Sequence, residues 1–330
     1  MSEYDNGYLW DKSGPVDPEI QRLEVLLEPY RCPGLPPLPL PAAQGLLRTW
    51  LFLPRLVLAG TAAVVVMAAA WFVLRGMAPD TWTIAVLSGE ARVGSVPVSG
   101  SARLRAGQVF ETGAGAQASI RMPRVGRLDI EPNTALRVVE AGRNQQRLSL
   151  LRGTIHARVS APPRVFIVDT PSAVATDLGC AYTLHVDPSG DGVLRVTHGW
   201  IEFDWKGRDS LVPTGAMAVT RAGAGPGTPF FEDSSEAFRQ ALSRYDFPPD
   251  ALARSRALAA VLTKASPHDA VSLLNLVRNA PAADRGAVYD TLARLVPPPP
   301  GASREAALAG DPRALDPWWP AVGIGRAPGK

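Results

Sequence analysis

Leu56 to Leu74 reads LVLAGTAAVVVMAAAWFVL, 19 residues without a charge, bracketed by Arg55 and Arg75. No other feature constrains the fold as strongly. A soluble helix of this length would normally carry a polar stripe, and this run has none. At 1.5 Å per residue it extends about 28 Å, close to the roughly 30 Å hydrocarbon core of a bilayer. Trp50 and Trp71 stand near its ends, where indole rings favour the interface. The 55 residues ahead of it are too many for the leader of a cleaved signal peptide. The run predicts a single transmembrane helix within residues 51–77. Arg48 and Arg55 on one side balance Arg75 and Arg92 on the other, so charge leaves the orientation open. Cys32 and Cys180 fall on opposite sides of the span, which makes each a lone thiol rather than half of a pair.

The head, residues 1–50, holds seven acidic and four basic side chains. One helix stands out in it. Asp17 fits the N-cap, Pro18 the first helical position, and Glu19 the positive end of the helix dipole. Ile20, Leu23, Leu26, Leu27 and Tyr30 follow at helical spacing and form one apolar stripe. The run from Cys32 to Pro41, CPGLPPLPLP, ends the helix and favours extended polyproline II. A helix this short is marginal alone, and the head offers no second helix to cover the stripe. The expectation is a partner-binding helix laid into a groove, with Trp10 as an added aromatic anchor. An acidic polar face disfavours the alternative of binding an anionic lipid surface.

Beyond the span the hydrophobic period becomes two. Ile155, Ala157 and Val159 alternate with His156 and Arg158; Cys180, Tyr182, Leu184 and Val186 alternate with Thr183 and His185; Ile201, Phe203 and Trp205 alternate with Glu202 and Asp204. Pro188-Ser-Gly-Asp-Gly192 marks a hairpin turn, and glycines punctuate the stretch at short intervals. Residues 80–221 are expected to form an all-β sandwich or jelly-roll-like domain. Residues 222–233, rich in Gly and Pro, read as a flexible linker. Residues 234–330 return to a helical period: Phe238, Ala241, Leu242 and Tyr245 in a first helix, Leu252, Leu258, Val261 and Leu262 in a second, Val271, Leu274 and Val277 after the Ser266-Pro267 cap, and a fourth helix from Pro281 to Leu295. An all-α module results, with Trp318 and Trp319 in a tail that tucks onto it.

The chain carries 34 basic and 31 acidic residues without a Lys/Arg-rich run, which argues against direct nucleic-acid binding. It has no His-Glu-x-x-His, no Gly-x-Ser-x-Gly and no Walker A run. Catalytic, metal and cofactor-binding residues are therefore expected to be none, and the chain is expected not to be an enzyme. His185 and His198 are the histidines with a chance of approaching across the hairpin. Cys180 reads as a small buried hydrophobe.

An ordered series of short motifs runs through about 87–220. It comprises Leu87-Ser-Gly-Glu-Ala-Arg-Val93, Leu104-Arg-Ala-Gly-Gln-Val-Phe-Glu-Thr-Gly113, Gly126-Arg-Leu-Asp-Ile-Glu-Pro-Asn-Thr-Ala-Leu136, Leu148-Ser-Leu-Leu-Arg-Gly-Thr-Ile155, Phe166-Ile-Val-Asp-Thr-Pro-Ser172, Gly179-Cys-Ala-Tyr-Thr-Leu184 and Val196-Thr-His-Gly-Trp-Ile201. Together with a head and one span, this resembles the FecR family of transmembrane sigma-factor regulators. The resemblance implies a bacterial inner-membrane protein with a cytoplasmic N-terminus and a periplasmic β-domain. It implies a cytoplasmic sigma factor, of the extracytoplasmic-function class, as the partner of the head, and an unknown periplasmic protein or envelope component as the signal. The helical module at 235–320 stands where family members contact an outer-membrane transporter, so that partner is not carried over. A second reading of another class is an envelope-binding or scaffold protein, anchored in the inner membrane without sigma-factor control.

Overall fold

The computed structural model describes residues 18–30, 67 and 81–325. Trp10, the proline-rich run and all of the apolar run except Met67 lie outside the described residues, so the predicted span does too. Among the described residues, no helix is long and apolar enough to cross a membrane. The chain divides into two compact units, Met1–Gly76 and Met77–Lys330. The first contains helix α1, Pro18–Leu27, followed by a 3-10 turn at Glu28–Tyr30.

The second unit begins as two sheets. One has the order β4 (Ser101–Leu104), β1 (Trp82–Ser88), β6 (Gln117–Met122), β7 (Gly126–Ile130), β9 (Gln146–Val159), β12 (Ala181–Val186), β13 (Gly192–His198) and β16 (Ala216–Arg221). The other has the order β3 (Val96–Val98), β2 (Ala91–Val93), β5 (Val109–Thr112), β8 (Ala135–Ala141), β9, β10 (Phe166–Asp169), β11 (Val174–Asp177), β14 (Trp200–Trp205) and β15 (Arg208–Pro213). All pairings are antiparallel except β9 with β10. One core cluster draws on both inner faces, with Trp82, Ile84, Phe110, Leu136, Phe166 and Phe203 fully buried. The expected sandwich is present.

Strand β9 belongs to both sheets. Its 14 residues are more than twice the usual strand length of about 5–6. Gln146–Arg152 pairs with β8, and its first residues with β10; Gly153–Arg158 pairs with β12, and Ile155–Val159 with β7. The changeover needs Gly153, which sits at φ +94° with the position of a Cβ only 2.3 Å from the Thr134 hydroxyl oxygen. Only glycine combines that backbone with that approach.

The predicted alternation holds for Ile155, Ala157, Cys180, Tyr182, Leu184, Val186, Ile201 and Phe203, which are buried, while Arg158 and His185 are exposed; Val159 and Trp205, expected on the same inward faces, are only half-buried at their strand ends. The predicted hairpin is β12–β13, turning at Asp187–Asp191.

The helices are α2 (Glu236–Asp246), α3 (Ala251–Lys264), α4 (Ala270–Asn279), α5 (Ala282–Leu295), α6 (Arg304–Ala309) and α7 (Trp318–Ala321). Ser235 caps α2 by accepting from the Phe238 N–H, and Asp250 caps α3 through Ala253. Before α4, Ser266 and Asp269 form a reciprocal capping box around a 3-10 turn. Trp318 and Trp319 are buried, Trp319 edge-on to Trp200 at 5.1 Å. Leu252, expected in the stripe of the second helix, is 60% exposed. It lies in the first turn of α3, ahead of the part that packs.

The linker expected at 222–233 is instead a packed strap. Its segments β17 (Gly225–Pro226) and β18 (Phe230–Phe231) both pair with β16, and residues 225–229 are buried. Glycine here provides close approach rather than freedom: a Cβ on Gly225, at φ +86°, would meet the Trp205 ring at 2.4 Å.

Candidate functional site

The stripe predicted on α1 exists as a helix face. Leu23, Leu26, Leu27 and Tyr30 are all exposed, Leu26 by 66% and Tyr30 by 81%, and α1 has no buried residue; Ile20 is half-buried. Pro18 opens the helix, and Glu19 lies in its first turn. Covering such side chains is worth about 1.5–3 kcal/mol each, before the cost of association. The arrangement is therefore competent to hold a protein groove. Trp10 lies outside the described residues.

The exposed face of the first sheet carries polar pairs between strands. His156 Nε2 lies 2.6 Å from Glu131 Oε1, and its Nδ1 lies 2.9 Å from Thr183 Oγ1. Hydroxyl, imidazole and carboxylate in sequence have the order of a nucleophile relay. The relay stands on an open face, with Thr183 mid-strand between two paired neighbours, β9 and β13. Free backbone N–H donors aimed at a reacting oxygen, as an oxyanion site requires, are not supplied by such a ladder. His185 bonds Thr154 at 2.9 Å and pairs with Val193, whereas His198 pairs with Ala181. These two histidines occupy opposite ends of the hairpin and do not approach each other. Among the described residues, no group of three His, Cys, Asp or Glu side chains is placed to hold a metal.

Cys180 is buried, as expected, but it is not merely apolar. Its thiol donates to the buried Asp177 carboxylate. Burial raises the Asp177 carboxyl to about 6, against bonds from the Cys180 thiol and from backbone N–H groups. Burial and the neighbouring Asp177 push the Cys180 thiol far up, which removes the thiolate needed for reactivity.

A seam between sandwich and helices is the element that periodicity did not supply. β15 is the edge of its sheet, and α4 closes it. Asn275 Nδ2 donates to the Leu211 carbonyl at 3.1 Å, and the Leu211 N–H donates to Asn275 Oδ1 at 2.9 Å. The amide thus stands in for a missing strand. Arg278 makes a bidentate pair with Asp209, and Asn279 donates to the Asp209 carbonyl at 2.7 Å. Ser272 donates to Pro229 of the strap at 2.7 Å. Asp246, at the end of α2, accepts from the Thr228 N–H at 2.7 Å and its hydroxyl at 2.8 Å. Burial raises the Asp246 carboxyl to about 6, partly offset by those bonds and by Arg208. A signal for the seam was present: Ser272 and Asn275 are polar residues three apart inside the otherwise apolar run Ala270–Val277.

Residues 108–202 match the family described as FecR protein. The match runs from the turn before β5 into β14 and includes the shared strand β9. It lies within the stretch whose motifs carry the resemblance. Two crystal structures of an anti-sigma-factor candidate from Parabacteroides distasonis ATCC 8503, at 2.50 Å and 1.65 Å resolution, are similar to this chain at 15% identity with a TM-score of 0.32. The similarity covers 41% of this chain and 64% of theirs, so the chain spans less than two thirds of their length. No curated protein matches.

Proposed function

We propose that this chain, with its FecR domain, is a single-pass inner-membrane regulator of a cytoplasmic sigma factor. In this reading residues 56–74 cross the membrane, the head is cytoplasmic, and the sandwich with its helices is periplasmic. The observation that carries it is the uncovered stripe of α1, on a chain whose β-domain matches FecR. Ile20, Leu23, Leu26, Leu27 and Tyr30 would lie in a groove of the sigma factor, as an amphipathic helix with an exposed apolar face does. Seven residues separate Leu74 from Trp82, a reach of at most about 25 Å. Trp82 is fully buried at the start of β1. A displacement of the sandwich would therefore be felt at the span over a short tether.

The test is co-purification of the full-length chain from membranes with each extracytoplasmic-function sigma factor of the source cell. One sigma factor should be retained by the native chain and lost by the Leu23→Asp/Leu26→Asp variant. Retention of none, or equal retention by the variant, would refute the assignment. A reporter active only in the periplasm, fused after Lys330, should be active if the orientation is right.

A further inference from the structure

The outer face of the sheet that runs from β4 to β13 carries a line of basic side chains drawn from five strands. Arg103 on β4 stands opposite Thr83 on β1, and Thr83 opposite Arg121 on β6. Arg121 stands opposite Arg127 on β7, which stands opposite Arg158 on β9. The line continues through Ala181 on β12 to His198 on β13. All four arginines and His198 are exposed. At about 4.8 Å per strand the six steps make a line about 29 Å long.

The charges on it are unbalanced. Asp129 serves two of the arginines, with Arg127 Nε at 2.7 Å and Arg158 Nη1 at 3.0 Å. Arg103, Arg121 and Arg124, the last in the β6–β7 turn, make no ion pair among the described residues. Like charges directly opposite each other oppose strand pairing. Arg121 against Arg127 and Arg127 against Arg158 are two such pairs in succession. A merely solvated face has no need of that alignment, whereas an anionic ligand turns it to advantage. A cleft of about 650 Å³ runs along Arg121, Arg127 and Arg158, with Met122, Val159 and Ala181 also in its lining.

We propose that this line binds a linear anionic glycan, laid across the strands with its negative groups on the successive guanidinium groups. The guanidinium fork grips carboxylates and phosphates in two-point fashion. An extended line, rather than a closed pocket, suits a polymer that presents charge repeatedly. No Phe, Tyr or Trp lies on the line or lines the cleft, so single-stranded nucleic acid finds no stacking platform there. The line likewise offers no large apolar side chain for insertion into a bilayer. The row beside it runs through Ser101, Ala85, Ser119, Asp129, His156 and Thr183; Ser101 presents a hydroxyl that suits a sugar, while Asp129 is held by its two arginines and Thr183 by His156. This site depends on neither the span nor α1, so it stands or falls apart from the sigma-factor assignment.

The test uses the full-length chain in amphipol, with polygalacturonate as the probe. Neutral dextran, single-stranded oligo(dA) and phosphatidylglycerol vesicles serve as the other arms. Polygalacturonate should bind, more tightly than any other arm, and should weaken as salt rises. Arg121→Gln/Arg127→Gln should weaken binding about tenfold or more, and Arg121→Lys/Arg127→Lys should weaken it less. The Gln variant should melt close to the native chain, because the exposed Arg127–Asp129 pair it removes contributes little and the repulsion it relieves offsets that loss. No binding, equal binding of dextran, tighter binding of oligo(dA) or vesicles, or unchanged binding by the Gln variant would overturn the proposal. So would a large fall in melting temperature, which would make the line part of the fold's own support.

Discussion

Helices α1 and α2 carry the same kind of stripe. On α2, Phe238, Ala241, Leu242 and Tyr245 recur at helical spacing and are at most 4% exposed; on α1, Leu23, Leu26 and Leu27 recur likewise and are more than half exposed. Both begin with favourable end chemistry, Ser235 before one and Pro18 opening the other. The difference lies in what surrounds them. The chain around α2 supplies α3, the strap and the edge of a sheet, whereas among the described residues nothing covers the face of α1. Periodicity therefore marks a face to be covered and leaves open what covers it. Where the chain provides the cover, the stripe is structural; where it does not, the stripe is free for a partner.

Four measurements sharpen or break this contrast. Phe238→Ala should remove about 3–5 kcal/mol from the stability of the second unit, as large-to-small changes in a filled core do, read as a lowered urea midpoint. A loss below about 1 kcal/mol would mean that the face of α2 is not core.

The second measurement is pH dependence. Burial holds the Asp246 carboxyl at about 6, above the 3.8 of an exposed one. The folded state therefore takes up this proton before the unfolded state does. Stability from this group is complete below about pH 4 and is lost as pH rises through about 6. Asp177 works in the same direction. Glu111 and Asp290, held low by their arginine partners, work in the opposite direction at the acid end. Stability should rise from pH 7 toward pH 5 by about 1–1.5 kcal/mol from Asp246, with its full contribution of about 3 kcal/mol reached only below about pH 4. Asp246→Asn keeps an oxygen to accept from the Thr228 N–H, with its amide nitrogen donating to the Thr228 hydroxyl, and should flatten that rise; an unchanged slope would remove Asp246 from the account.

Third, Asn275→Ala should cost about 1–3 kcal/mol, because it leaves the N–H and the carbonyl of Leu211 without their partner at a covered sheet edge. It brings α4 closer to the situation of α1, a helix without its dock. Hydrogen exchange at β15 should rise more than at β9. Last and smallest in stability, Leu23→Asp/Leu26→Asp should move the urea midpoint by no more than about 0.5 kcal/mol, since no core loses contacts. The same variant should lose its protein partner. A large loss of stability would show α1 to be covered by its own chain after all.

Much of the fold was readable before the structure. Alternation at 153–159, 180–186 and 201–205 located strands and their buried faces, because side-chain direction in a strand depends on parity alone. Helical spacing and caps located α2 to α5 for the same local reason. Glycine and proline at 222–233 misled, because these residues serve tight approach as well as flexibility, and only the Trp205 ring against Gly225 tells which. The α1 face was fully legible, being local; its occupant was not. The Asn275 seam left a trace as a polar residue in an apolar helix, but its target, 64 residues earlier, did not.

The sequence by itself determined where strands and helices lie, which faces are apolar, and that one run of 19 residues has no polar face. Each follows from neighbours within a few positions. Only the tertiary structure decided that β9 serves two sheets, that the strap and α4 seal the sandwich, and that Arg103, Arg121, Arg127 and Arg158 stand in one line. In the sequence Arg121 and Arg127 lie close together, with Arg124 between them, but Arg103 and Arg158 stand apart from that group. Strand pairing brings residues from four strands into one line across the sheet, and pairing is a property of the folded chain rather than of any segment.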